Sequence, residues 1–306
     1  VGRGPSPFGP FEPSSYNPAL THRDRAEHPI QATGHADLVE LDDGTTWAVF
    51  LGTRPQGGRF NHLGRETFLA PVRFSADGWP TIGDGGRVEL RMPAPALPAQ
   101  PALAPAARDD FDRAALGLEW ISVRNPNPGD MSLTARPGFL RLIGAATTLN
   151  DVASPAAVVR RQQHLRFRCR ARLEFAPPDG KEEAGLTVRA SEHFHYDLVV
   201  RHGERGREAV LTSYIGGKST VMGHTPIPDG PVTLEITADE AAYGFSVEGG
   251  KPLPRLPTRG LSAEEIGRLD RNHFTGVVIG VFATGNGKRS TTPADFDWFE
   301  YTPLDK

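Results

Sequence analysis

Two short stretches hold the side chains best suited to chemistry. Gly34 to Glu40 reads GHADLVE and sets a histidine and an aspartate at the mouth of a β-hairpin, and Leu63 to Leu69 reads LGRETFL and sets an arginine beside a glutamate. A glycine before His35 lets the backbone approach a ligand or another chain closely. The guanidinium of Arg65 offers a fork of donors that suits vicinal hydroxyls or a carboxylate. Each residue also has a plain structural reading: His35 as a satisfied histidine of the fold, Arg65 as the salt-bridge partner of a neighbour such as Glu66. His22, Arg54 and His62 stand in no motif of their own, and Trp47 and Trp79 read as core residues. No Ser/His/Asp order, Gly-rich phosphate loop or HExxH spacing is present.

The elements that must position these residues read as β-strands. The 34 glycines and 28 prolines punctuate short apolar runs, as in an all-β protein. Ala36 to Leu41, an Asp-Asp-Gly-Thr turn and Thr46 to Leu51 form a hairpin pattern. Phe68 to Phe74 is a further strand. Pro93 to Ala107, PAPALPAQPALAPAA, is uncharged and reads as a semi-rigid spacer. It divides the chain into a first domain over 1–93, a linker over 94–107 and a second domain over 108–306. In His164 to Phe175, apolar residues alternate with four arginines and other polar groups, a strand with one face inward and a charged face in water. A patch for acidic ligands is the competing reading of those arginines, without aromatic residues between them to support it. Further strands are expected at Gly185 to Ala190, Tyr196 to Arg201, Ala209 to Tyr214, Val232 to Thr237, Tyr243 to Val247, Gly276 to Phe282 and Phe296 to Tyr301, and their spacing closes most naturally as a two-sheet sandwich. Ser262 and Glu265 form a capping box that opens a helix over Ala263 to Leu269.

Composition narrows the partners. With Lys+Arg 34 against Asp+Glu 37, a net charge of −3 gives no reason to expect nucleic acid or an anionic membrane. No apolar run approaches the roughly 20 residues of a membrane span. Cys 1, at Cys169, excludes an intrachain disulfide and the usual multi-cysteine zinc site. The missing secretion signal and the single thiol fit a cytoplasmic protein, and a start at Val1 is not a plain translation start. The first domain holds three or four strands, too few to close a propeller or barrel, and would leave strand edges unpaired.

GPFEP (Gly9 to Pro13), NPALTHRD (Asn17 to Asp24), PIQATGHADLVE (Pro29 to Glu40), LGRETFLAPV (Leu63 to Val72) and DGWP (Asp77 to Pro80) follow one another at the spacing of glycoside hydrolase family 43, and the chain most resembles its two-domain β-xylosidases. FTGVVIGVFA (Phe274 to Ala283) and ADFDWFEY (Ala294 to Tyr301) resemble the end of the sandwich in those enzymes. The resemblance implies a five-bladed β-propeller with the active site on its axis, followed by a concanavalin-like β-sandwich. It implies hydrolysis of β-1,4-xylo-oligosaccharides from the non-reducing end with inversion, and an α-L-arabinofuranosidase side activity. The family uses an Asp as general base, a Glu as general acid and a second Asp that orients the acid. In inverting enzymes the two carboxyls stand roughly 6.5–9.5 Å apart, leaving room for water.

Carried onto this sequence, His35 matches the axial histidine that supports the orienting Asp or ligates a divalent cation, such as calcium, through water; no cofactor is required. Arg65 matches the arginine that hydrogen-bonds the sugar of the first subsite. Phe274 resembles the phenylalanine of the sandwich that stacks on a sugar. The family's three catalytic carboxylates lie upstream of GPFEP in segments that this sequence does not contain, and Glu40 and Glu66 belong to other motifs. The expectation is therefore a C-terminal portion of the propeller plus the sandwich, completed by an N-terminal polypeptide that supplies the other blades and the acid and base, from a nicked precursor, a split gene or a longer chain. Homo-oligomerisation is compatible with this reading. A contrasting reading is a non-catalytic carbohydrate-binding sandwich with a vestigial propeller remnant.

Overall fold

The computed structural model describes residues 1–100, 106–269 and 273–304. The chain divides into two compact units, Val1–Leu103 and Ala104–Lys306. Of the spacer expected over 94–107, residues 101–105 lie outside the described residues, and 93–100 carry no regular secondary structure.

The first unit has a two-stranded ribbon, β1 (Gly2–Arg3) with β2 (Glu12–Pro13), and an antiparallel sheet in the order β3 (Gln31–Glu40), β4 (Thr46–Thr53), β5 (Glu66–Phe74), β6 (Pro80–Ile82). The β3–β4 turn forms as its residues dictate. Gly44 adopts φ +79°, a left-handed conformation that costs glycine little. Asp43 Oδ1 accepts hydrogen bonds from the Thr45 backbone N–H at 2.9 Å and from its hydroxyl at 2.6 Å. Period 2 sends Ala48, Phe50, Ala70, Val72 and Ile82 to one face, where they bury with Ile30. Trp47 and Trp79 are buried as well. His22 ties the ends of the unit together: its Nε2 accepts from the Val88 N–H at 3.1 Å, so its Nδ1 carries the proton and donates to the Ile30 carbonyl at 2.7 Å. Burial holds the His22 imidazole below its ordinary pKa, which favours this neutral form.

The second unit is a sandwich of two antiparallel sheets. Its elements are β7 (Arg108–Asp109), β8 (Ile121–Ser122), β9 (Met131–Ser132), β10 (Leu140–Ile143), β11 (Ala156–Arg161), β12 (Phe167–Glu174), β13 (Glu183–Ser191), β14 (Phe194–Gly203), β15 (Gly206–Ile215), β16 (Lys218–Pro226), β17 (Val232–Ala238), β18 (Ala242–Val247), β19 (Leu253–Pro257), a 3₁₀ turn (Thr258–Leu261), α1 (Ala263–Leu269), β20 (Val278–Thr284) and β21 (Pro293–Pro303). Among the described residues, one sheet runs β19-β18-β17-β12-β21-β10-β9 with β7 also on β21, and the other runs β16-β15-β14-β13-β20-β11-β8. The core between them includes Phe167, Cys169, Leu186, Tyr196, Ile236 and Phe296. Ser262 caps α1 as its sequence dictates, accepting from the Glu265 N–H at 3.2 Å.

The arginine face of β12 is an ion-pair ladder rather than an open cationic patch. Arg166 meets Glu240 at 2.9 Å, Arg168 meets Glu300 at 3.6 Å, Arg170 meets Glu248 at 3.2 Å and Arg172 meets Asp297 at 3.8 Å. Exposed pairs of this kind contribute little each; their effect is to neutralise a face that would otherwise attract anions.

Candidate functional site

The start of β3 is irregular. Register shifts interrupt its pairing with β4 between Gln31 and Gly34 and again between Gly34 and Asp37. Ala32 sits at φ +50° and His35 at φ +53°. Such bulges re-aim side chains, and a non-glycine residue held in the left-handed region costs on the order of 1–3 kcal/mol, a strain that concentrates at functional sites. The strand therefore leaves the regular pleat at the histidine singled out by sequence.

Arg65 is delivered by the loop that opens β5. Gly64 takes φ +78°, and the Asn61 side chain donates to the Gly64 carbonyl at 3.2 Å. Next to it, Glu66 is claimed by Arg54, whose Nε donates to both carboxylate oxygens at 3.1 and 3.0 Å and whose Nη2 donates to Oε1 at 2.8 Å. This fork-on-fork pair makes Arg54 a partner of Glu66, a role its sequence position had not suggested. His62, three residues before Arg65, is buried, and desolvation pushes its pKa down to about 4.

Both delivered side chains meet at one place. His35, Asp37, Arg65 and Thr67 line a shallow hollow of about 280 Å³ together with Val49, Phe50 and Leu51. His35 also borders a second hollow formed with Asn17, Arg23 and the N-terminal Val1. The first hollow offers a forked cation, a carboxylate, a hydroxyl and an imidazole above an apolar strand floor, a set suited to a polyhydroxylated ligand. Asp37 and Thr67 have a visible sequence signal, since each lies two residues from a singled-out residue on its strand. Phe274 belongs to the second unit, where it is 57% exposed. No group of three or more His, Cys, Asp or Glu side chains is arranged to hold a metal ion among the described residues. No described helix is long and apolar enough to cross a membrane.

Comparison with known proteins places both units. Residues 108–302 match the family described as the beta xylosidase C-terminal concanavalin A-like domain, and residues 1–80 match glycosyl hydrolases family 43. A non-reducing end α-L-arabinofuranosidase of Bacteroides ovatus is 44% identical over 309 residues, which span 100% of this chain and 58% of the relative. A solved Bacteroides ovatus xyloglucan PUL GH43B structure superposes with a TM-score of 0.95 at 44% identity, over 99% of this chain and 60% of that one. A xylan β-1,4-xylosidase structure from Bacillus halodurans does so with a TM-score of 0.92 at 31% identity, over 98% and 59%. The chain thus spans about three fifths of the length of these relatives.

Proposed function

Because the chain belongs to glycoside hydrolase family 43 and carries that family's β-xylosidase-type concanavalin A-like domain, we propose that it is the C-terminal part of an inverting exo-glycosidase acting on β-1,4-xylo-oligosaccharides, with α-L-arabinofuranosidase activity in the same site. The observation that carries this reading is the convergence of His35 and Arg65 on one hollow, with His35 held in a strained conformation to reach it.

In this account Arg65 donates its guanidinium fork to sugar hydroxyls and fixes the ring in place. His35 supports the carboxyl group that orients the general acid. Phe274 supplies an apolar ring for the face of a sugar. The general acid and general base come from polypeptide outside this chain, and so does any further ligand of a cation near His35. The sheet itself supports such a complement. Cross-strand pairing sets Val39, Val49 and Leu69 on the face opposite the buried one, where they remain 46%, 39% and 45% exposed. A four-stranded sheet with apolar residues on both faces is suited to stacking between neighbouring blades of a propeller. The relatives extend well beyond the matched stretch, and that additional polypeptide is the proposed occupant of the face.

The test is the stereochemistry of hydrolysis. With xylotriose and the complete enzyme, proton NMR of the first product should show xylose released from the non-reducing end with its anomeric configuration inverted. Retention of configuration, or internal cleavage, would refute the assignment.

A further inference from the structure

The outer face of the β13–β14 pair carries a buried polar ladder that the reading above does not use. Leu186 and Val188 of β13, and Phe194 and Tyr196 of β14, point to the core. The alternating residues Thr187, Arg189, His195 and Asp197 point away from it, yet their exposures are only 0%, 7%, 0% and 6%. They are joined. Asp197 accepts from the Thr187 hydroxyl at 2.7 Å and pairs with His195 Nδ1 at 2.8 Å. The His195 ring stacks on Tyr214 at 4.4 Å, and its Nε2 lies 2.9 Å from Asn150 Oδ1. Towards the β13–β14 turn, Arg189 approaches Glu192 at 3.6 Å, and Glu192 also accepts from Arg124.

This end of the sheet adjoins the segment that bears Phe274. Arg189 is paired in register with Val278 at the start of β20. Continuing that antiparallel register backwards from Val278 brings residues 273–276 alongside the turn at Ser191–His193. His273 lies within the field of the same ions: burial, then Arg189, hold its pKa below the ordinary value, with Glu192 acting the other way. Its Nε2 is 3.3 Å from the Thr275 hydroxyl. Phe274 stands between His273 and Thr275 and is 57% exposed.

Buried ions are a costly way to gain stability, since desolvation offsets most of their attraction. Directional polar groups fix one arrangement where apolar packing would tolerate several. The geometry of a stacking group is set by the residues that support its segment.

We propose that Glu192 is a positioning residue for Phe274: by bridging Arg124 and Arg189 it fixes the β13–β14 turn against which the His273–Thr275 segment rests, and so holds the Phe274 ring in its sugar-stacking position. The proposal rests on the reading of Phe274 as a sugar-stacking residue. The test is a double-mutant cycle in the complete enzyme with an aryl xyloside, using Glu192→Gln, Phe274→Ala and both together, with thermal melting as a check on folding. Glu192→Gln keeps the shape and removes the charge. It should raise KM about threefold, within the range of couplings between contacting groups, and leave kcat unchanged. In the Phe274→Ala background it should raise KM no further. An equal rise in both backgrounds would overturn the proposal, as would a fall in kcat at constant KM. A silent Phe274→Ala would instead strike the stacking reading itself, and the two failures are told apart by that single variant. Should Glu192→Gln not fold, Arg124→Met removes the partly exposed member of the bridge and is read in the same cycle.

Discussion

Removal of the Arg65 guanidinium gives the sharpest perturbation of the hollow. Gly64 and Asn61 set the backbone of the loop that presents it, and Arg54 engages Glu66. Arg65→Ala should therefore leave the loop backbone in place and remove what the guanidinium gives the ligand. A hydrogen bond to a charged group contributes roughly 1.5–3 kcal/mol, and each 1.36 kcal/mol is tenfold in rate. The expected loss in kcat/KM is thus roughly 10- to 150-fold. Arg65 is exposed on this chain, so the lower figure applies if the hollow stays open to water and the upper one if further propeller polypeptide covers it. Arg65→Lys keeps the charge and loses the fork, and should fall between wild type and Ala. The assay is kcat/KM of the complete enzyme on p-nitrophenyl β-D-xylopyranoside and on the corresponding α-L-arabinofuranoside, with melting temperature measured alongside. Values for Arg65→Ala within about twofold of wild type, with an unchanged melting temperature, would refute the role of Arg65.

Phe274→Ala should chiefly raise KM, because stacking on a sugar acts on ground state and transition state alike; steady-state kinetics showing a loss confined to kcat would contradict it. His62 is held neutral by burial, with a pKa near 4 against an ordinary 6.5. Its folded pKa is depressed, so its contribution is full above about pH 6.5 and is lost as the pH falls towards 4, an effect on the order of 3 kcal/mol. His62→Gln should flatten the fall in melting temperature between those pH values, and an unchanged slope would discount the histidine. Gly83 sits at φ +71° with the Arg87 carbonyl where a Cβ would go. Gly83→Ala should destabilise the first unit by more than about 1 kcal/mol, and an unchanged denaturation midpoint would show that the turn can relax. Cys169 is fully buried, and burial raises its thiol pKa far above the ordinary value. It should resist thiol reagents until the protein is denatured; stoichiometric labelling of the native protein would contradict that placement.

Much of this was legible in the sequence because the physical signals were local. The alternation in His164 to Phe175 appears as β12, and the capping box at Ser262 opens α1 over Ala263–Leu269. The Asp-Asp-Gly-Thr turn joins β3 and β4. What was not legible depended on neighbours. β16, Lys218–Pro226, is an edge strand whose residues are nearly all exposed, so no face needed to be apolar and no alternation marks it. The short strands β7 to β9 form only because longer strands lie beside them. At the hollow, His35 and Arg65 stood out through their motifs. Their meeting depends on the two register shifts in β3, which are set by pairing across the sheet. The burial of Thr187, Arg189, His195 and Asp197 was hidden in the same way: in sequence these are the polar positions of two ordinary strands, and contacts such as those of His195 with Tyr214 and Asn150 come from elsewhere in the chain.

The central claim is that this chain shapes a glycosidase site while its acid and base come from elsewhere. The most direct measurement is the intact mass, under denaturing conditions, of a sample whose turnover of p-nitrophenyl β-D-xylopyranoside has just been recorded. Activity should be accompanied by polypeptide beyond the 33.1 kDa of this chain, either as one longer chain or as a second species. Activity in a sample containing only the 33.1 kDa species would contradict the account.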